Sequence, residues 1–199
     1  GEFRLLAWAD VGWAYWFTRE PMYRPAELKR MRHFSWAGDY ASEKLWRKGG
    51  FQPVPLASVD VLISLQTGVI DAFSTTPLVA LSFQWFTSTP NMLDLKWGPI
   101  IGGLIISERT WSKLPIEYHA ILERISKEME TEARALVSEM NEALQVMVEN
   151  GLTIHQPSAE DREAWEELTV SFYPLIRGSL VPEGIFDRAI KLKKDLIEK

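Results

Sequence analysis

The stretch LISLQTGVIDAFSTTP, Leu62 to Pro77, decides how this chain is read. Leu62, Ile63 and Leu65 make an apolar helix face that stops at Gly68, where a residue free of a Cβ can end a helix. Ile70 to Ser74 then reads as a short apolar strand, and Thr75-Thr76-Pro77 breaks it. A helix that returns to a strand within a few residues is the unit of a layered α/β fold.

The same alternation extends to either side. Upstream, Ser58 caps a helix over 59–67, and Phe51 to Leu56 is a strand whose two prolines suit an edge. Before it, Asp39 is an N-cap for a helix over 39–49 that Gly49-Gly50 ends. Arg32 to Trp36 is a short strand, and Pro25 stands where the first turn of a short helix tolerates it. Residues 3–9 read as a buried strand, followed by a turn at Asp10 to Gly12. Downstream, a short helix near 77–84 precedes apolar strand segments at 91–96 and 100–107. Gly102-Gly103 inside the second segment marks a close backbone approach, a bend or a hinge.

From Pro115 the period changes. Tyr118, Ile121, Leu122, Ile125, Met129, Ala133, Leu136, Val137, Met140, Leu144 and Met147 recur every three or four residues, which predicts one long amphipathic helix ending at Gly151. Its methionines read as core filler. A strand at 152–155 and helices over about 158–177 and 183–197 complete the chain, Ser158 and Asp161 forming the cap of the first.

The bulk properties narrow the function. With 46% hydrophobic and 25% charged residues over 199 positions, the composition is globular. A net charge of −5 gives no reason to expect nucleic acid or anionic lipid. Cysteine is absent, which removes disulfides, thiol nucleophiles and Cys-based zinc sites. No apolar run reaches the ~18 residues needed to span a membrane. The chain starts Gly1-Glu2-Phe3, so it reads as processed or as part of something longer.

Chemistry-bearing patterns are sparse. His33, His119 and His155 lie in different elements without metal-ligand spacing, and no cofactor or metal is expected. Asp10 and Asp39 are the carboxylates beside breaks and tryptophans, Asp39 reading as a cap before a base. The anomaly is aromatic: nine tryptophans and nine phenylalanines, crowded into the first half. Core packing accounts for most of them, but each indole brings an N–H that needs a partner, so a tryptophan cluster at strand ends marks an apolar cleft.

Four anchors in order resemble the solute-receptor (P) subunits of TRAP transporters. Leu6-Ala7-Trp8 and Gly12 match that family's aromatic strand and turn, and Pro25-Ala26-Glu27-Leu28-Lys29 its helical turn. Leu65-Gln66-Thr67-Gly68-Val69-Ile70-Asp71 matches its helix-to-strand signature, with a proline following at Pro77, and Trp111-Ser112-Lys113-Leu114-Pro115 its closing one. The resemblance implies a periplasmic-binding-protein-like α/β fold, type II-like, with a mixed sheet, long C-terminal helices and an incomplete first lobe. It divides the chain into a second lobe with hinge strands (1–85), hinge-crossing strands (86–114), and the long and C-terminal helices packing across the lobes (115–199). It further implies a periplasmic or extracytoplasmic location, with a lipid anchor in the full-length protein, and membrane permease subunits as partners. A tetratricopeptide-repeat protein is a further partner in one subset.

The chain departs from the family at its polar ligand contacts. The arginine that holds a carboxylate in acid-binding members falls on Phe34, another on Ala14, and the Glu-Asn pair on Thr75 and Thr76. Losing the bidentate guanidinium makes an organic diacid a poor cargo. An apolar or amphipathic molecule is expected instead, held by Trp8, Trp13, Ala14, Phe34, Trp36, Phe73, Thr75, Thr76 and Trp97. Two rivals stand beside this non-enzymatic receptor. One is an interaction or sensor module using the same fold with an exposed aromatic patch. The other is a hydrolase or isomerase working through Asp10 or Asp39.

Overall fold

The computed structural model describes residues 2–136 and 140–197. They form two compact units, each built from two stretches of chain: 1–21 with 72–156, and 22–71 with 157–199.

The first unit is organised by two long strands, β1 (Phe3–Thr18) and β5 (Asn91–Ser107), paired antiparallel along their length. β4 (Ala72–Thr75) joins β1 antiparallel, and β6 (Thr153–His155) joins β5 in parallel. The turn expected at Asp10 to Gly12 is a β-bulge in a continuous strand. Asp10 pairs with Ile101 and Gly12 with Ile100, so Val11 is the extra residue. Gly12 adopts φ 97° and its N–H donates to Asp10 Oδ1 at 2.9 Å, so the bulge is stabilised locally. The two segments expected at 91–96 and 100–107 are likewise one strand. Ala14 pairs with Gly98 and Trp16 with Leu93, so 94–97 buckle out of register without ending it.

The core of this unit lies where the strands meet α4 (Pro77–Ser82), a 3-10 turn (Trp85–Ser88) and α7 (Met140–Glu149). Phe17 and Phe73 stack at 4.9 Å and are fully buried, with Trp85 edge-on to Phe73 at 5.3 Å. Met92, Leu93 and Met147 are also buried. After the short α5 (Glu108–Trp111), α6 (Ile116–Leu136) packs on β1. The expected long helix is thus described as α6 and α7, and Val137 lies outside the described residues. The periodicity of α6 misleads in one respect. His119, Leu122, Ser126, Glu130 and Ala133 form its covered face, while Tyr118, Ile121, Ile125 and Met129 flank it exposed. Met147 is core filler as expected, and Met129, 49% exposed, is not.

The second unit holds β2 (Arg32–Trp36) and β3 (Gln52–Leu56), paired in parallel, with α1 (Pro25–Leu28), α2 (Tyr40–Lys48), α3 (Val61–Gln66), α8 (Ala159–Ile176) and α9 (Glu183–Ile197). Asp39 caps α2 by accepting from Ser42 N–H at 3.1 Å. Ser158 and Asp161 form a reciprocal capping box at the start of α8. Ser58 opens a 3-10 turn (Ser58–Asp60) that runs into α3, rather than capping the helix itself. The core here is aromatic. Trp46 lies edge-on to Phe51 at 4.9 Å and to Phe172 of α8 at 6.0 Å. The fold is a mixed α/β one, with both parallel and antiparallel strand pairs.

Candidate functional site

Within the first unit, Trp8 and Trp13 come together in an open groove of about 580 Å³. Its other walls are Ala9, Gly12, Pro99 and Ile101, and its polar members are Asp10, Glu130 and Arg134. The bulge at Val11 sets this arrangement. One extra residue between Trp8 and Trp13 breaks the strict alternation that five positions of regular strand would impose. Trp8 remains 58% exposed and Trp13 41%, so both indoles present area to whatever enters.

The charges of the groove are already occupied. Arg134 Nη2 donates to Glu130 Oε1 at 2.7 Å, one turn apart on α6. Asp10 accepts the Gly12 N–H. Near the groove, Lys96 Nζ stands 5.8 Å from the centre of the Trp13 ring. Pro99, Ile101, Glu130 and Arg134 were not among the expected ligand-binding residues, and for the last two nothing local signals that α6 faces this part of β1.

The remaining expected residues occupy several different settings. Trp97 lies in the out-of-register segment of β5, half-buried and tilted against Trp16 at 6.0 Å. Ala14 is buried and paired with Gly98. Phe73 stacks in the core, and Thr75 is buried opposite Tyr15. Thr76 is fully buried at the N-cap of α4, where its hydroxyl oxygen accepts from Val79 N–H and Pro77 follows at the first helical position. In the second unit Phe34 is buried edge-on to Trp36 at 5.0 Å, and Trp36 is 57% exposed.

Asp10 and Asp39 both hold backbone N–H groups, and among the described residues no cluster of three or more His, Asp or Glu side chains is placed to hold a metal ion. His33 is the most perturbed ionisable group in the second unit's core. Burial pushes its pKa down to about 4, the Phe34 carbonyl opposing this and the positive charge of Arg47 adding to it.

A concave surface with apolar walls and a few polar groups is a candidate ligand groove. The profile of bacterial extracellular solute-binding protein family 7 (DctP) matches residues 1–176, and the chain belongs to that family, the solute receptors of TRAP transporters. Solved structures share the fold. A TRAP periplasmic solute-binding protein from Shewanella oneidensis, with bound succinate, superposes with TM-score 0.88 at 17% identity over 96% of this chain. One from Desulfovibrio desulfuricans, with bound sn-glycerol-3-phosphate, gives 0.85 at 22% identity over 96%. The ectoine-binding protein of the TeaABC transporter of Halomonas elongata gives 0.79 at 16% identity over 89%. The chain spans 62%, 62% and 59% of these proteins, less than two thirds of each. No curated protein sequence matches it.

Proposed function

We propose that this chain is part of an extracytoplasmic solute receptor that binds an apolar or amphipathic molecule and delivers it to TRAP-type membrane permease subunits, performing no chemistry on it. The observation that carries this reading is the groove between Trp8 and Trp13, whose lining charges, Glu130 with Arg134 and Asp10 with Gly12 N–H, are already paired. A carboxylate entering it meets a guanidinium already shared with Glu130, and desolvating an unpaired anion costs several kcal/mol. Apolar cargo meets two indoles, a proline and an isoleucine. Burying ~300 Å² of hydrocarbon there contributes about 7 kcal/mol before the cost of association. The relatives solved with succinate and with sn-glycerol-3-phosphate hold anions. The difference proposed for this chain rests on Ala14, Phe34, Thr75 and Thr76 at the positions where the family resemblance places polar contacts.

Calorimetry with dodecanol and with succinate tests the reading. Uptake of dodecanol that falls at least tenfold in Trp13→Asp, with no heat from succinate, supports it. Succinate binding without dodecanol binding overturns it.

A second reading, an interaction module, has its own observation. On one face of the β1–β5 ribbon, Leu5, Trp8, Ile101 and Ile105 are 42%, 58%, 64% and 56% exposed. Leu5 is paired with Ile105, and a Cβ on Gly103 would meet Leu5 Cδ1 at 3.0 Å and Trp8 Cε3 at 4.0 Å, so these side chains are neighbours. An apolar face of this kind suits a protein surface. Failure of both ligands in the calorimetric test favours this module.

A further inference from the structure

A second concave surface lies in the other unit and owes nothing to the ligand groove. Between α2 and the C-terminal end of α8 is a trough of about 530 Å³, floored by Leu45, Leu175 and Leu180 and banked by Tyr40, Lys44 and Lys48. Tyr40 is 77% exposed and Leu180 45%, and no residue of α2 is buried. The helix therefore offers its outer side to solvent.

The charge on this bank is one-sided. Arg47, the other cation of α2, is bound to Glu43 at 2.9 Å and donates to the Pro53 carbonyl. Lys44 and Lys48, one turn apart, have no carboxylate within ion-pair distance among the described residues. Like charges at that spacing repel by a few tenths of a kcal/mol. The C-terminal end of the helix dipole favours Lys48, but Lys44 sits mid-helix and gains little from it. On the opposite bank the Ser179 hydroxyl is already used, donating to the Leu175 carbonyl, and Pro174 has no N–H to offer. The trough thus combines an apolar floor with cations on a single bank.

We infer that this trough is a docking site for an acidic amphipathic helix of a protein partner. Ammonium groups one helical turn apart match carboxylates spaced three or four residues apart on an incoming helix. Leucines on the adjoining face of that helix would fill the floor between Leu45, Leu175 and Leu180, the helix-in-groove mode of recognition. Concavity favours such a segment over a bilayer surface, which would reach the lysines but leave the floor unfilled.

The probe is a synthetic helical peptide with leucines at i, i+3, i+4 and i+7 and glutamates on one flank, titrated by fluorescence anisotropy against the whole chain. Binding is expected to weaken at least tenfold in the double variant Lys44→Glu/Lys48→Glu and in Leu180→Asp, neither of which removes a buried group. A matching peptide with lysines in place of the glutamates should regain affinity for the charge-reversed variant. Three outcomes overturn the inference: no binding to the parent chain, affinities within twofold for parent and charge-reversed variant, or capture by phosphatidylglycerol vesicles without capture of the peptide.

Discussion

Replacing His33 by leucine tests how the core of the second unit responds to acid. The imidazole is 1% exposed, edge-on to Trp46 at 5.0 Å and to Phe51 at 6.4 Å, with Nδ1 3.2 Å from the Phe34 carbonyl oxygen. Burial among rings holds it neutral, lowering its pKa from 6.5 to about 4. Above 6.5 both folded and unfolded chains carry a neutral ring, and the group adds no pH dependence. Below that value the unfolded chain takes up a proton that the folded chain refuses. Stability then falls by about 1.4 kcal/mol per pH unit until the folded pKa is reached, roughly 3 kcal/mol in all. Urea unfolding followed by tryptophan fluorescence at about pH 7 and about pH 4.5 should show the parent losing about 2–3 kcal/mol more than His33→Leu, by the same linkage. Whatever stability the leucine variant has at neutral pH, only the change between the two conditions enters. Equal losses in the two proteins would refute the reasoning, because the acid response would then come from other groups.

Two further perturbations address the second unit. Asp161 accepts from the Ser158 hydroxyl, from Arg24 and from the Ser158 N–H, which together hold its pKa down at about 2. Its contribution is complete above the ordinary value of 3.8 and lost as pH falls towards about 2, so Asp161→Asn should flatten acid unfolding across that window, and an unchanged profile would remove the cap from the account. At Gly49 an added Cβ would stand 2.5 Å from Phe172 Cζ and 3.1 Å from Phe51 Cδ2. Gly49→Ala should therefore cost about 1–3 kcal/mol, largely recovered in the double variant with Phe172→Leu, and simple additivity in that cycle would show that the clash is not its cause.

Local chemistry was readable in the sequence wherever a few adjacent residues settle it. Asp39 caps α2, Ser158 and Asp161 form their box, and Gly68 and Gly151 stop their helices with φ 72° and 99°. The mixed α/β class followed from the alternation of such elements. Long-range pairing was less accessible. Asp10 to Gly12 has the composition of a turn, yet β5 supplies a partner strand on both sides and converts it to a bulge. The stripe on α6 was visible, but which third of the helix faces β1 depends on Ser126, a small residue that permits close approach and carries no hydrophobic signal. For the site, Trp8 and Trp13 stood out by type, whereas Glu130 and Arg134 reach the groove only through that docking of α6. Thr76 followed by Pro77 had the pattern of a helix start as well as that of a ligand contact, and its hydroxyl oxygen is engaged at the start of α4.

The discontinuity of the second unit has a consequence for biosynthesis. Trp46 and Phe51 leave the ribosome well before the ring that closes over them, Phe172, which belongs to α8 and follows the whole of 72–156. The tie from Trp165 Nε1 to the Tyr23 carbonyl spans 142 positions of sequence. At ordinary elongation rates the early half of this core waits on the order of ten seconds for its complement. During that interval its aromatic face has no covering helix, which makes the nascent chain, more than the finished protein, the form most in need of a chaperone.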